Sequence, residues 1–356
     1  MKKKIVAMGL VLAMAVTATA CGSSSSSTAT TTAAAAAAET QAAAAAAKPA
    51  AGAKELSLFA GSISSNTPTG NGLEAMAAYI NENSNGELNA VTYYDTALGD
   101  ASSMVEGLKM GTIDIGISGT AYFSSLMPEI EVFQLPFLFS DLETARKATA
   151  GPAADEINTM MNDLGLVGLS FWENGFRELS NNVRNVKEPA DLDGIKMRTL
   201  GSKIQIATWS AFGAMTTQID ASELYTSLQQ GTIDAQDNPL HEIVSRKLYE
   251  VQPYVTLTDA TYTPFYMAMS KITWDSLTED QQKVIVEAAA VGRQAQFDAT
   301  DAAQATAKQT LLDNGVTIEE NPDKAAFQEI AMPLWSTFTD QSDKCAELLK
   351  MVQDNM

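Results

Sequence analysis

The sequence predicts an α/β protein of two lobes, with one long helix running across both. Three observations predict it. From residue 55 onward, short apolar runs alternate with amphipathic stretches in a repeated β-α-β order, the pattern of a mostly parallel sheet with helices on both faces. This body is about 300 residues long, past the size at which a single core keeps growing. The run from Thr278 to Asn314 contains no proline and one glycine, Gly292.

The first 54 residues stand apart. "MKKKIVAMGLVLAMAVTATAC" has three lysines, an apolar run from Ile5 to about Val16, and small residues leading to Cys21. That is the order of a secretory signal, assigned to residues 1–20. The apolar run is shorter than the ~20 residues a membrane-spanning helix needs. Cys21 directly follows Ala18-Thr19-Ala20, as in a bacterial lipobox, although leucine is usual where Ala18 stands. Cys21 is therefore the expected lipid attachment; an ordinary signal with a coincidental cysteine is the alternative. Residues 21–54 are almost entirely Ser, Thr and Ala. They have too little apolar bulk to offset the entropy of ordering, so they read as a disordered tether.

Within the body, "ELSLFAG" (55–61) reads as a strand and "GLEAMAAYINENSNG" (72–86) as a helix stopped at Asn85-Gly86. "LNAVTYY" (88–94) is a strand, "DASSMVEGLKMG" (100–111) a helix, and "TIDIGISG" (112–119) an apolar strand. "VFQLPFLF" (132–139), broken by Pro136, is a core loop or short helix. A helix over about 141–164 leads to the strand "GLVGLSFW" (165–172). The second half repeats the style, with strands at 194–200 and 261–270 and helices at 202–213 and 222–231. Thr278 with Gln281 makes a capping box, and Asn314-Gly315 a stop. The helix between them is ~53 Å long, against ~30 Å for a small domain, so it is expected to bridge both lobes. A break at Gly292 would give two ordinary helices instead.

Acidic residues number 43 against 23 basic, a balance of −20 that argues against nucleic acid or an anionic membrane surface as partner. One histidine, His241, excludes histidine metal clusters and narrows any triad to that residue. No phosphate loop or GxSxG occurs. No catalytic residue, metal or cofactor is expected, although a carboxylate pair, as in a surface glycosidase, stays open. Cys345 lies at helical spacing and reads as a buried small hydrophobe. Arg177 and Arg198 stand out because both sit among apolar and small residues. A guanidinium meets a carboxylate bidentately, and an unpaired one in a closed site is costly to desolvate. Each arginine either binds an anion or forms an ion pair with Glu173, Asp191 or Asp193.

The body resembles the solute-binding proteins of TRAP transporters, the tripartite ATP-independent periplasmic systems. The resemblance rests on ordered markers: "LG" at 98–99, "GTIDIGISG" at 111–119, "VFQLPFLF" at 132–139 and "FWENGFRELSN" at 171–181. "DLDGIKMR" at 191–198, "ASELYTSLQQGTIDAQDNP" at 221–239 and "KLYEVQPYVTLT" at 247–258 continue them. It implies a two-lobed, periplasmic-binding-protein-like fold with a ligand cleft and a hinge. The lobes are expected as 55–172 plus about 264–305, and 173–263 plus about 306–356. By resemblance Arg198, the arginine of "GxKxR", grips a ligand carboxylate, Arg177 adds a second contact, and Asn238 of "DAQDNP" orients acid and Arg198 together. Gln236 lies two residues from Asn238, on the same face of an extended segment. Trp172, Phe265 and Tyr122 are candidates for an aromatic face, or else for core packing. Asn66, Thr67 and Ser118 occupy first-lobe loops that approach the ligand in this family.

The segment Thr216 to Ala221 departs from the family's "PTPMAF", losing two prolines and an aromatic, which implies a wider and more polar pocket there. The expected protein is a monomeric, lipid-anchored, extracytoplasmic receptor that delivers an organic acid to TRAP membrane permease subunits. Two arginines with amides suit a monocarboxylate sugar acid such as a hexuronate or aldonate; a C4-dicarboxylate is the alternative. An adhesion or scaffold protein would bind no small ligand.

Overall fold

The computed structural model describes residues 52–356. The signal, Cys21 and most of the tether lie outside the described residues. Nine strands form one sheet: β1 (Lys54–Ala60), β2 (Leu88–Tyr93), β3 (Ile115–Gly119), β4 (Leu166–Asn181), β5 (Lys196–Thr199), β6 (Met215–Gln218), β7 (Ala235–Asn238), β8 (Tyr254–Ser270) and β9 (Thr317–Glu319). Their order is β2-β1-β3-β8-β4-β7-β5-β6, with β9 on β8. Both ends are parallel, β1 with its neighbours β2 and β3, and β5 with β6 and β7.

The centre departs from the mostly parallel expectation. β4 and β8 are antiparallel strands of 16 and 17 residues, and each serves both ends of the sheet. β8 pairs with β3 through Phe265–Met269 and with β9 through Tyr254–Thr256. β4 pairs with β7 only through Glu178–Asn181. The β4–β8 register slips at Gly168/Ser170, Glu173/Gly175 and Arg177/Leu179, and Gly175 takes φ +122° at the middle slip. A bulge adds a residue on one strand and a local bend. The sequence reading missed this because it ended the fourth strand at Trp172, where a polar stretch begins.

The helices are α1 (Pro68–Asn83), α2 (Ala101–Met110), α3 (Leu142–Ala148), α4 (Pro152–Asn162), α5 (Lys203–Ala211), α6 (Leu224–Gln229), α7 (Leu240–Ser245), α8 (Lys271–Trp274), α9 (Glu279–Asp313), α10 (Lys324–Ala331), α11 (Trp335–Thr339) and α12 (Asp343–Asp354). The helix expected over 141–164 is two: Gly151-Pro152 separates α3 from α4, with Pro152 at a first-turn position where its missing N–H costs nothing.

α9 is unbroken over 35 residues, and Thr278 and Gln281 form the capping box. Gly292 serves packing instead of a break. A Cβ there would stand 2.8 Å from the carbonyl oxygen of Gly72 and from the Trp172 ring, so the glycines let α9 and α1 approach closely. At its start α9 buries Ile285, Ala288 and Ala289 with Leu73 and Met76. At its end Ala307 and Leu311 pack with Leu224, Ile243 and Leu248. One helix therefore joins the cores at the two ends of the sheet. The C-terminal segment returns to the first half of the chain, where Phe338, Cys345, Leu348 and Val352 pack with Ile157 and Met161.

Candidate functional site

A cavity lies where the loops after β1 and β3 face the ends of β5 and β7. Arg198, Arg177, Asn238, Tyr122, Phe265 and Ser118 all line it. Four predicted residues do not. Trp172 is core, its ring wedged against Gly72 and Gly292. Thr67 caps α1, accepting from the N–H of Gly70, while Asn66 is exposed beside it. Gln236 stands behind the wall, fully buried, and accepts from Asn238 Nδ2 at 2.5 Å. That bond puts Gln236 and Asn238 on one face of β7. Gln236 Nε2 donates to Ser180 Oγ at 2.7 Å, and Ser180 donates to Gln252 at 3.0 Å, so Asn238 is held by a buried polar chain.

The two arginines behave differently. Arg177 is matched within the protein. Its Nε donates to Asp237 Oδ2 at 2.8 Å and its Nη2 to Oδ1 at 3.1 Å, with a further bond to the Asp237 carbonyl. Gln205 also donates to Asp237, at 3.1 Å. The partner is thus none of the three acids expected from the sequence: Glu173 is held by Arg146, and Asp191 accepts backbone N–H groups at Lys187 and Glu188. Arg198 is 1 % exposed. Its Nε donates to the carbonyl of Ile219 at 2.8 Å, and Nη2 has no partner. Among the described residues, no carboxylate forms a salt bridge with it. Burial pushes the Arg198 guanidinium down to about 10, and Arg177 and Arg246 add to the effect.

A third guanidinium was missed. Arg246 lines the same cavity, donates to Glu242 Oε2 at 2.7 Å, and reaches the carbonyl of Ser62 at 3.1 Å. In the sequence, Glu242 and Arg246 read as an ordinary i,i+4 surface pair. Only the structure shows that Glu242 is buried, lining the cavity with Arg246. Gln134, Asn174, Gln205 and Thr263 were also missed. Gln134 Nε2 and Asn174 Oδ1 are buried without partners. Buried polar atoms are nearly always hydrogen-bonded, so a cavity presenting free donors and an acceptor is suited to a polar solute. Tyr122 accepts from the N–H of Ala221 at 3.1 Å, and burial pushes its hydroxyl up to about 12.

The family described as bacterial extracellular solute-binding protein, family 7, matches residues 59–342. The 2,3-diketo-L-gulonate-binding periplasmic protein YiaO of Escherichia coli is 33 % identical, over 77 % of this chain and 84 % of its own. The C4-dicarboxylate-binding periplasmic protein DctP of Rhodobacter capsulatus is 29 % identical, over 78 % and 84 %. The crystal structure of the sugar acid binding protein DctPAm of Advenella mimigardefordensis, in complex with galactonate, superposes with a TM-score of 0.81. It is 30 % identical and covers 85 % of this chain and 99 % of its own.

Proposed function

We propose, since the chain belongs to the bacterial extracellular solute-binding proteins of family 7, the binding subunits of TRAP transporters, that its cargo is a monocarboxylate sugar acid such as an aldonate or hexuronate. The charge balance of the cavity carries the reading. Of three guanidinium groups there, Arg177 is matched by Asp237 and Arg246 by Glu242, which leaves Arg198. One unmatched cation suits one carboxylate. A C4-dicarboxylate would bring a second anion that must compete with Asp237 or Glu242. The unpaired Gln134 Nε2 and Asn174 Oδ1, with Asn238, suit hydroxyls. Relatives named for diketo-gulonate and galactonate support a sugar acid.

Arg198 then works by charge and geometry together. An acid bound bidentately to the guanidinium satisfies Nη2 and offsets the desolvation its burial imposes on the free protein. Asn238, fixed by Gln236 and Ser180, holds the acid in register. Closure on the ligand is proposed to bend β4 and β8 at their bulges, near the 172/173 and 263/264 lobe boundaries.

A thermal-shift panel of galactonate, galacturonate, succinate, malate and galactose tests this. The expected result is a shift with the sugar acids, worth ~2.7 kcal/mol at 100 times Kd. A response to galactose alone would refute it. Arg198→Ala should cost ~2–5 kcal/mol of galactonate affinity, measured calorimetrically. The reading also includes a monomeric, extracytoplasmic body tethered to the cell membrane through Cys21, handing its acid to a membrane permease. Labelling with a radioactive fatty acid, lost in Cys21→Ala, checks the anchor.

A further inference from the structure

A second cavity adjoins the first and shares Ser62, Ala221 and Arg246 with it. It is the larger of the two, about 320 Å³ against about 40 Å³. The inner cavity presents the groups assigned to the acid, and the outer one offers further room beside it. Resting on the reading of Arg198 as carboxylate anchor, we propose that the two cavities form one elongated site for a sugar acid carrying a neutral glycosyl unit, with that unit in the outer cavity.

The lining of the outer cavity indicates the chemistry. Tyr225 stands there half-buried with Leu224 and Leu248, its hydroxyl donating to Glu250 Oε2 at 2.7 Å. That bond pins the ring, and a pinned aromatic surface with apolar neighbours suits the C–H face of a pyranose. Ser64, Thr96 and Ser222 add hydroxyls around it. The charges exclude a second anion. Arg246, the cation of this cavity, is already matched by Glu242, and Asp95 contributes a carboxylate to the wall. A neutral, hydroxyl-rich unit meets no such penalty.

The proposed connection lies at Ala221, which lines both spaces. Its neighbours close the wall by hydrogen bonds, Ser62 Oγ to Asp220 at 3.0 Å and Arg246 Nη2 to the Ser62 carbonyl at 3.1 Å. Ala221 contributes only a methyl group between the two spaces, so a large side chain at 221 would fill the passage.

Lactobionate, a galactosyl-gluconate, and galactonate are the probes, and calorimetry on the full chain reads both. The wild type is expected to bind lactobionate at least as tightly as galactonate. Tyr225→Ala and, separately, Ala221→Phe should each lower the ratio of lactobionate to galactonate affinity about tenfold or more. Binding of galactonate without lactobionate by the wild type overturns the elongated site and leaves the sugar-acid reading standing. A ratio that neither variant changes overturns it as well. If the wild type binds neither acid, both readings fall together.

Discussion

Replacing Arg198 with leucine is expected to stabilise the free protein while abolishing acid binding. The guanidinium is buried without a counter-charge, and such a group costs more than a well-packed apolar side chain. The gain should be on the order of 1 kcal/mol or more, seen as a higher Tm without ligand and no shift with galactonate. A second residue ties stability to pH. Glu178 is buried at the Arg177/Leu179 bulge and accepts from the N–H of Asp259 at 3.1 Å. Burial, and then the neighbouring Asp259 carboxylate, raise it well above the ordinary 4.5, with Lys324 opposing. A raised folded value means that folding takes up a proton between the unfolded and folded values. The stabilisation is complete at the acid end and is lost as pH rises through the folded value. Tm should fall with pH in that window, and Glu178→Gln should flatten the fall, measured between about pH 5 and 9. At this scale Arg198 was legible in the sequence as a cation among apolar neighbours. The fate of Arg177 was not. Its partner, Asp237, lies 60 residues away and had been passed over as the middle of a motif read for Gln236 and Asn238.

At the scale of elements, the clearest case is α9. Its caps and its lack of proline are local signals, and they predicted an unbroken helix correctly. The role of Gly292 is not local. It is set by α1, whose Gly72 carbonyl stands where a Cβ would go. Gly292→Ala should therefore destabilise the protein even though alanine is better by ~1 kcal/mol in an isolated helix. The displacement of Gly72 backbone and the Trp172 ring is expected to cost ~1–3 kcal/mol, which denaturant unfolding would measure. Thr278→Ala, at the exposed cap, should cost ~1 kcal/mol through the lost hydrogen bond to Gln281 and leave packing intact. β4 and β8 show the opposite balance. Their central residues, including Glu173, Asn174 and Arg177, are polar and buried, so a hydrophobic pattern cannot report them as strand. The pairing of two long strands satisfies their backbone, and ion pairs such as Arg177–Asp237 satisfy their side chains.

The whole molecule carries a balance of −20, yet the proposed cargo is an anion. Distant acids repel it in bulk, and salt screens them over ~8 Å at physiological strength, while the cation inside the cavity is shielded from salt by burial. Raising ionic strength should therefore increase the association rate of galactonate and leave its dissociation rate nearly constant, as stopped-flow tryptophan fluorescence would record. The fold supports this division of labour. β4, β8 and α9 link the two ends of the sheet. By itself the sequence determined the alternation of strands and helices and the caps that bound the long helix, and it offered Arg198 as a candidate anchor. The first two rest on periodicity and capping, which act between residues a few positions apart, and Arg198 rests on the resemblance of its motif to the family's. Only the tertiary structure decided that the sheet is mixed, that Arg177 is matched, that Arg246 enters the cavity, and that Trp172 is core. Each depends on which distant side chain arrives to neutralise a charge or fill a space, and burial makes that arrival decisive in energy.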